Sequence, residues 1–503
     1  MYLQPLLRLH SSTQDSWNIS ILIVAKKDSL PIWMTKNSTK LKMTLWKLLH
    51  QDKLDKEVFF YQSNIEIKLQ DSKSVVNLEF SYDNISITRN LNLPAINQMP
   101  YSTYSSCNGF SSASIANKWK TKKNAMWETL NILNIQRPYE LMLMGGDQIY
   151  ADAVLASSEF YGWSQKSESE QINTKFTKKM EEQAQKFYLD WYIKSWSETT
   201  FSNLMTKIPS IMIWDDHDII DGWGSYSNDL QSSPVQQGLY KYAERYFCLF
   251  QQHRLPQIPL SISDNTDYKG DFYNFGSSVG LLVLDLRSER NYNQIISRKT
   301  WEHIFITTEK QIKDNKLQHL LIMSSIPLAH PDFSLIEKTL GFIPSSQELE
   351  DDLHDHWASR EHSDERKYFI RKILFWAREY NCRITILSGD VHIAANGLIQ
   401  STRTDADKNA RSINQITSSG IVHPPPPALV VFALNKLMEN SWEIERDITI
   451  QMLKMPNSQR NFISARNFIS MQQVEKQDIS LYWHVEGETY PYKKWIRVVE
   501  PTK

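Results

Sequence analysis

The sequence predicts an α/β fold with a mainly parallel core, preceded by a β-rich segment, and three observations carry that expectation. Short apolar runs rich in Ile, Leu and Met, at 141–144, 211–214 and 384–387, have the character of buried strands. Each run stops in a knot of acids: Gly146-Asp147-Gln148-Ile149-Tyr150, Asp215-Asp216-His217-Asp218 and Ser388-Gly389-Asp390-Val391-His392. From about 96 to 425 such runs alternate with stretches of helical apolar spacing, the mark of βα units. In an α/β sheet the ligand site lies beyond the strands' carboxyl ends. Several acids gathered at one such edge would repel each other unless a cation sat between them. A metal site with more than one ion is therefore expected.

Residues 1 to about 95 read as short alternating segments at 19–24, 58–61, 65–69, 75–80 and 85–88, separated by turn-formers and lysines. This is the pattern of a small antiparallel sandwich, and no acid cluster closes any of its strands. Packing or recognition is its expected role. Two further buried runs, 281–285 and 320–323, join the three named above. Segments 165–205 and 350–380 are charged, with apolar residues such as Phe369, Ile373 and Trp376 at helical spacing. His423-Pro424-Pro425-Pro426-Pro427 must interrupt regular structure, after which 448–453 and 479–485 return to strand-like alternation. Three units are expected: a β-rich N-terminal domain over 1–95, a catalytic domain over 96–425, and strands over 426–503 that complete it. The one internal echo, Arg460 to Ser464 against Arg466 to Ser470, is too short to be a structural repeat.

With 503 residues, 41% of them hydrophobic and 22% charged, the chain can bury large cores. Lys+Arg of 56 against Asp+Glu of 57 gives a net charge of −1, so no global basic field argues for a nucleic-acid partner. No run reaches the roughly 18 apolar residues of a membrane helix, and the N-terminal stretch lacks the basic and apolar regions of a signal peptide. A cytoplasmic location is the expectation, with export by a signal-less route left open. Cys107, Cys248 and Cys382 are odd in number and widely spaced, which disfavours a disulfide framework.

The knots carry the chemistry. Asp147 follows two glycines, which let the backbone turn tightly and aim the carboxylate at the sheet edge, where its two oxygens can bridge two cations. Tyr150, three residues on, can reach the same ion if the segment turns helically, and a phenolate favours a hard trivalent metal such as iron. The alternative is that Asp147 caps a helix and Tyr150 packs in the core. In the second knot one acid is expected to coordinate, His217 to protonate a leaving group, and Asp218 to orient the imidazole. Asp390 and His392, spaced i,i+2, project to the same side of an extended chain.

Gly-Asp-x-x-Tyr, Trp-Asp-Asp-His-Asp and Ser-Gly-Asp-x-His, in that order, resemble the PhoD-like alkaline phosphatase family of calcineurin-type metallophosphoesterases. Ser106-Cys107, Asp285-Leu286-Arg287-Ser288-Glu289-Arg290 and Thr417-Ser418-Ser419-Gly420 are similar to subsidiary features of that family, and the resemblance spans about 96–425. It implies a double-sheet sandwich flanked by helices and a phosphate-ester substrate, monoester or diester. It further implies that Cys107 takes the place of an acidic ligand and that Asp147, Tyr150 and His392 complete a ferric iron site. Asp147 would bridge to a second divalent cation, calcium in the best-known relatives, held also by Asp216 and Asp390. His217 would assist the leaving alkoxide, supported by Asp218, a shorter acid than the glutamate usual there. Arg287 or Arg290 would clamp the phosphate.

Other histidines are weaker candidates. His354 and His356 lie on a stretch patterned as a helix, where i and i+2 face different directions, and His330 follows another strand end. The tryptophans read as core and loop anchors, and 118–123 as a solvated basic loop. Two readings compete with a phosphoesterase: a binding protein on a phosphatase scaffold that no longer turns over, and a different metal hydrolase of lactonase type. The second lacks its His-x-His-x-Asp-His string. A site sealed by the insert at 155–205 would favour the scaffold.

Overall fold

The computed structural model describes residues 2–26, 33–36, 47–54, 57–82, 85–258, 262, 265, 267–330, 357, 362–402, 412–438, 440–474 and 478–498. Two large sheets dominate. At the centre of the first, strands Ser102–Ser105, Leu141–Gly145, Ser210–Ile213 and Leu3–Ser12 run parallel to one another. At the centre of the second, Val279–Val283, His319–Ser324, Arg383–Ser388 and Ser412–Ser418 are likewise parallel. The expected apolar runs are thus the middle strands, buried on both faces, as an uninterrupted apolar run requires.

Residue parity shows how the layers stack. Leu281, Val283, Leu321 and Met323 of the second sheet share one core with Leu141, Leu143 and Ile211 of the first. Their neighbours Leu282, Leu320, Ile322, Ile384 and Ile386 point the other way, into a core shared with Trp301 and Ile304 of helix Arg298–Asp314 and with Phe369, Ile373 and Trp376 of helix Ser363–Glu379. Alternation with period two makes each strand two-faced, so the sheets pack face to face with helices outside. Helices Lys178–Trp196 and Pro234–Phe250 pack against the first core, the latter opened by proline at its first turn, where the missing N–H costs nothing. The fold is the mixed α/β double-sheet sandwich that the sequence led us to expect.

The sheets cross the expected unit boundaries. Leu3–Ser12 and Ser16–Ala25 belong to the first sheet, with Arg8 opposite Ser210 in parallel register. Among the described residues, Trp33–Lys36, Ser74–Tyr82 and Ile85–Leu93 form a separate three-stranded sheet. At the other end of the chain, Asn467–Gln473, Ile479–Val485 and Tyr492–Ile496 extend the first sheet while Ile448–Leu453 extends the second. After the proline run a helix, Ala428–Leu437, intervenes before the strands resume. His354 and His356 lie outside the described residues. His330 is buried, its carbonyl accepting from Arg366 Nη2 at 3.0 Å, and it belongs to the packing behind the sheet. Among the described residues no helix is long and apolar enough to cross a membrane.

Candidate metal centre

Seven loops meet at the carboxyl ends of the two parallel sets. Those after Ser102–Ser105, Leu141–Gly145 and Ser210–Ile213 bring Cys107, Asp147 and the Asp215–Asp218 knot; those after the second set bring Asp285 to Arg290, Ser325, Asp390 with His392, and Ser419. Main-chain bonds knit them: Cys107 N–H donates to the Gly146 carbonyl at 3.2 Å, Asn108 N–H to that of Asp147 at 2.8 Å, and His423 N–H to that of Cys107 at 3.1 Å. Cys107, Asp147, Asp390 and His392 all have φ between 53° and 68°, a left-handed conformation that side-chain-bearing residues adopt at a cost. Four such residues at one sheet edge indicate that the surrounding packing holds the backbone for the sake of where the side chains point. Gly146, with φ 110°, allows the turn into Asp147, and a Cβ there would stand 2.8 Å from the Asp215 Cβ.

One half of the centre is made of Cys107, Asp147 and His392, whose ligand atoms lie within 4.8 Å of one another. Cys107 Sγ is 3.4 Å from Asp147 Oδ2 and 3.0 Å from Ser419 Oγ. Ser419 Oγ also accepts from the His392 N–H at 3.0 Å, so one hydroxyl ties the cysteine loop to the histidine loop. Tyr150 Oη stands 3.3 Å from His392 Nε2, and the His392 ring stacks on His423 with centroids 3.7 Å apart. Burial, reinforced by His423 and His217, holds the His392 imidazole well below its usual pKa, leaving it neutral and able to donate a lone pair. Burial and the neighbouring Asp147 carboxylate push the Cys107 thiol well up. The Tyr150 phenol is raised in the same way, by burial and then by Cys107 and Asp147.

The other half is acidic. Asp147, Asp215 and Asp216 also offer oxygens within 4.8 Å of one another, so Asp147 belongs to both halves. Arg287 lies beneath this group, 0% exposed, pairing with Asp215 through Nε and with Asp216 Oδ1 through Nη2 at 3.3 Å while Nη1 donates to the Trp223 carbonyl. His217 Nδ1 is 2.9 Å from Asp152 Oδ2, its Nε2 is 3.9 Å from Asp221 Oδ1, and its ring lies over Tyr150 at 4.3 Å. Burial alone would lower the His217 pKa, but Asp152, Asp216 and Asp221 together outweigh it and hold the imidazolium well above the ordinary range. The two histidines flanking Tyr150 are thus in opposite states, one charged and one neutral.

The residues fit a pair of cations. Asp147 is buried, its Oδ1 has no hydrogen-bond partner, and burial, against the opposing charge of His217 and with the charges of Asp215, Asp216 and Asp218, raises its pKa well above the carboxylate range. A cation at that oxygen would satisfy it and remove the repulsion. The first half combines sulfur, imidazole and oxygen donors, as a transition metal prefers; the second is all oxygen, as a hard divalent cation prefers.

The structure brings together Cys107, Asp147, Tyr150, Asp216, His217 and His392, and it alters several expected roles. Asp218 does not orient the imidazole: its Oδ1 accepts from the N–H groups of Gln148 and Ile149 and from Gln251, and its Oδ2 from the N–H of Asp215. It ties the first two knots together, and Asp152 holds His217. Asp390 is outside both groups of close donors, and outside a third made of Asp216, His217 and Asp221; its carbonyl is 3.8 Å from Cys107 Sγ, whereas Asp215 enters the acidic half. Arg287 is engaged by the acids, and Arg290, 2% exposed, sets Nη2 3.4 Å from His362 Nδ1. Neither presents a guanidinium to solvent as a phosphate clamp. Sequence reasoning passed over Asp152 and Asp221, although an acid two residues beyond Tyr150 and another four beyond His217 were visible signals. Its treatment of His423 as a mere neighbour of the proline run missed the ring that stacks on His392.

A family described as PhoD related phosphatase matches residues 101–349 and 341–444. A Saccharomyces cerevisiae protein described as uncharacterized is 31% identical over 468 residues, covering 78% of this chain, and the match spans 66% of that relative's length. The solved structure of PhoD superposes with a TM-score of 0.56 at 13% identity, over 98% of this chain and 88% of that one, which speaks for the fold. The parallel strands that deliver the three acid knots all fall within the matched segments, and on that match the chain belongs to the PhoD related phosphatases.

Proposed function

We propose that this protein is a metal-dependent phosphoric ester hydrolase, acting on phosphomonoesters, phosphodiesters or both. The observation that supports it most is Asp147, one buried carboxylate common to two groups of donors, with a charged histidine across the Tyr150 ring from a neutral one. Cys107, Asp147, His392 and Tyr150 would hold iron in its ferric state; Asp147, Asp215 and Asp216 would hold a second, divalent cation, calcium by family likeness. Such a pair supplies Lewis acidity toward the phosphoryl oxygens and lowers the pKa of a bound water from about 15.7 toward about 7.

The chain's own residues do the rest. His217, charged at neutral pH, donates its proton to the leaving alkoxide oxygen, and Asp152 fixes the ring by bonding Nδ1. Arg287 offsets part of the acid cluster's charge from below, through its pairs with Asp215 and Asp216. Asp218, bonded to three backbone N–H groups, holds the Asp147 and Asp215 loops at a fixed separation. Metal analysis combined with assays on an aryl and an alkyl phosphate ester tests the reading. We expect iron, a second metal and turnover; a fully metallated protein inert toward every ester would favour the binding scaffold instead.

A further inference from the structure

Sulfur donates more electron density to a cation than a carboxylate oxygen does, so a cation on Cys107 would be a weaker Lewis acid than one held by oxygens alone. The groups packed around that sulfur bear on this. Asp147 Oδ2 at 3.4 Å and the Asp390 carbonyl at 3.8 Å offer it only lone pairs. Two hydroxyls offer protons: Ser419 Oγ at 3.0 Å and Ser106 Oγ at 3.4 Å, both on buried residues. The Tyr150 phenol also faces the sulfur, but as a phenolate ligand it has no proton to give. The Ser106 proton is divided, because its Oγ also lies 3.3 Å from the Ser418 carbonyl. That of Ser419 is not divided in this way. Its Oγ accepts from the His392 N–H at 3.0 Å, and a main-chain N–H can only donate, so the serine proton is left to point at the sulfur.

The turn that carries Ser419 is fixed from outside. Asn467 Nδ2 donates to the Ser419 carbonyl at 2.8 Å, its Oδ1 accepts from Ser418 Oγ at 2.7 Å, and its N–H donates to the Gly420 carbonyl at 3.3 Å. On the other side of the sulfur, a Cβ at Gly389 would stand 2.3 Å from Ser106 Oγ, so glycine there leaves room for the second hydroxyl. Resting on the metal-centre reading, we infer that Ser419 is a positioning residue whose hydroxyl donates to the metal-bound Cys107 thiolate, with Ser106 as a weaker second donor, and so keeps the bound cation electrophilic. A sulfur ligand binds deprotonated, and a charge-assisted bond from Ser419 draws density away from it. Hydrogen bonds to a ligating sulfur tune the metal in this sense, leaving a stronger Lewis acid and, with iron, one that is easier to reduce.

The test uses the full-length protein freed of metal and loaded with Fe³⁺ or, separately, with Co²⁺. A sulfur-to-metal charge-transfer band should appear with each, and Cys107→Ser should remove it, which separates it from any phenolate band. Ser419→Ala should move the sulfur band to longer wavelength, lower the iron midpoint potential and weaken metal binding by roughly 10- to 100-fold, the range for a lost outer partner of a ligand. Ser419→Thr, which keeps the hydroxyl, should hold the wild-type band, and Ser106→Ala should shift it less than Ser419→Ala does. One measurement needs no variant. The metal–sulfur stretch of the wild type, read by resonance Raman, should shift when the protein is loaded in heavy water, because the serine then donates a deuteron. Weaker metal binding with an unmoved band, a band that alanine and threonine move alike, or a stretch indifferent to heavy water would overturn the inference and leave Ser419 as a tie between loops. A metallated wild type with no sulfur band at all would instead overturn Cys107 as a ligand, so the reading of the centre and the inference fail by different results.

Discussion

The two halves of the centre share Asp147 and differ in everything else around it. On one side His392 stacks on His423, faces Tyr150 and is kept neutral by burial; on the other His217 is ringed by Asp152, Asp216 and Asp221 and stays charged. Burial acts on both imidazoles in the same sense, toward the neutral form, so burial does not choose between a ligand and an acid. The count of carboxylates facing each ring does. Acid–base roles at a site are assigned by the environments that push titratable groups apart.

The largest break in this comparison comes from the shared residue. Asp147→Ala removes a donor from both halves, and we expect loss of most bound metal and a fall in turnover on the order of 10⁴-fold or more, read by metal analysis and ester hydrolysis. Full metal occupancy in that variant would sink the two-cation reading. His217→Ala should retain its metal yet lose roughly 100- to 10,000-fold in turnover on an alkyl phosphate. The loss should be smaller for nitrophenyl phosphate, whose leaving group departs without a proton; equal losses on both would assign His217 to phosphate positioning.

Asp152→Asn sharpens the comparison further, with roughly a 10- to 100-fold loss expected of a residue that orients another. It also makes a pH prediction. His217 has its pKa raised in the folded protein, so its interaction with the carboxylates stabilises fully below the ordinary histidine pKa of about 6.5 and is lost as pH rises through the elevated value. Because the charged form is the proton donor, the basic limb of the pH–rate profile should follow that elevated pKa. Removing the Asp152 charge should move the limb to lower pH, and a limb that stays put would detach His217 from it. The smallest effect is expected on the neutral side. Tyr150→Phe should abolish a visible ferric-phenolate absorption, while Cys107, Asp147 and His392 still hold the iron and turnover falls less than in Asp152→Asn. Because burial holds the Tyr150 phenol protonated in the metal-free centre, loading with iron should release a proton that the variant does not release. A colourless, iron-replete wild type would show that the tyrosine only packs.

Much of this was legible in the chain itself. An uninterrupted apolar run must be buried on both faces, and an acid knot cannot be buried with it, so the runs at 141–144, 211–214 and 384–387 located both the central strands and the edge carrying the site. Within one strand end the outcome is mixed: Asp147 and Tyr150 both lie beside the Cys107–His392 group, whereas Asp390 and His392, expected to share one side of an extended chain, take left-handed backbone and only His392 joins a close-donor group.

Contacts between loops from different strands were decided only by the tertiary structure. Asp218 stands next to His217 in sequence, yet a turn of 3₁₀ helix and three buried N–H groups draw its carboxylate inward, and Asp152 from another loop takes the imidazole. Arg287, expected from the resemblance to clamp a phosphate, is instead claimed by two buried carboxylates. The repeated pentapeptide Arg-Asn-Phe-Ile-Ser makes the point most sharply. Its first copy places Phe462 and Ile463 opposite Ala395 and Ala394 in the second sheet, and its second opens strand Asn467–Gln473 in the first. Local sequence determines strand propensity and which residues share a face, because these depend on a period of two along one chain. Which partner a strand or a carboxylate meets depends on groups hundreds of residues away, and that selection belongs to the fold.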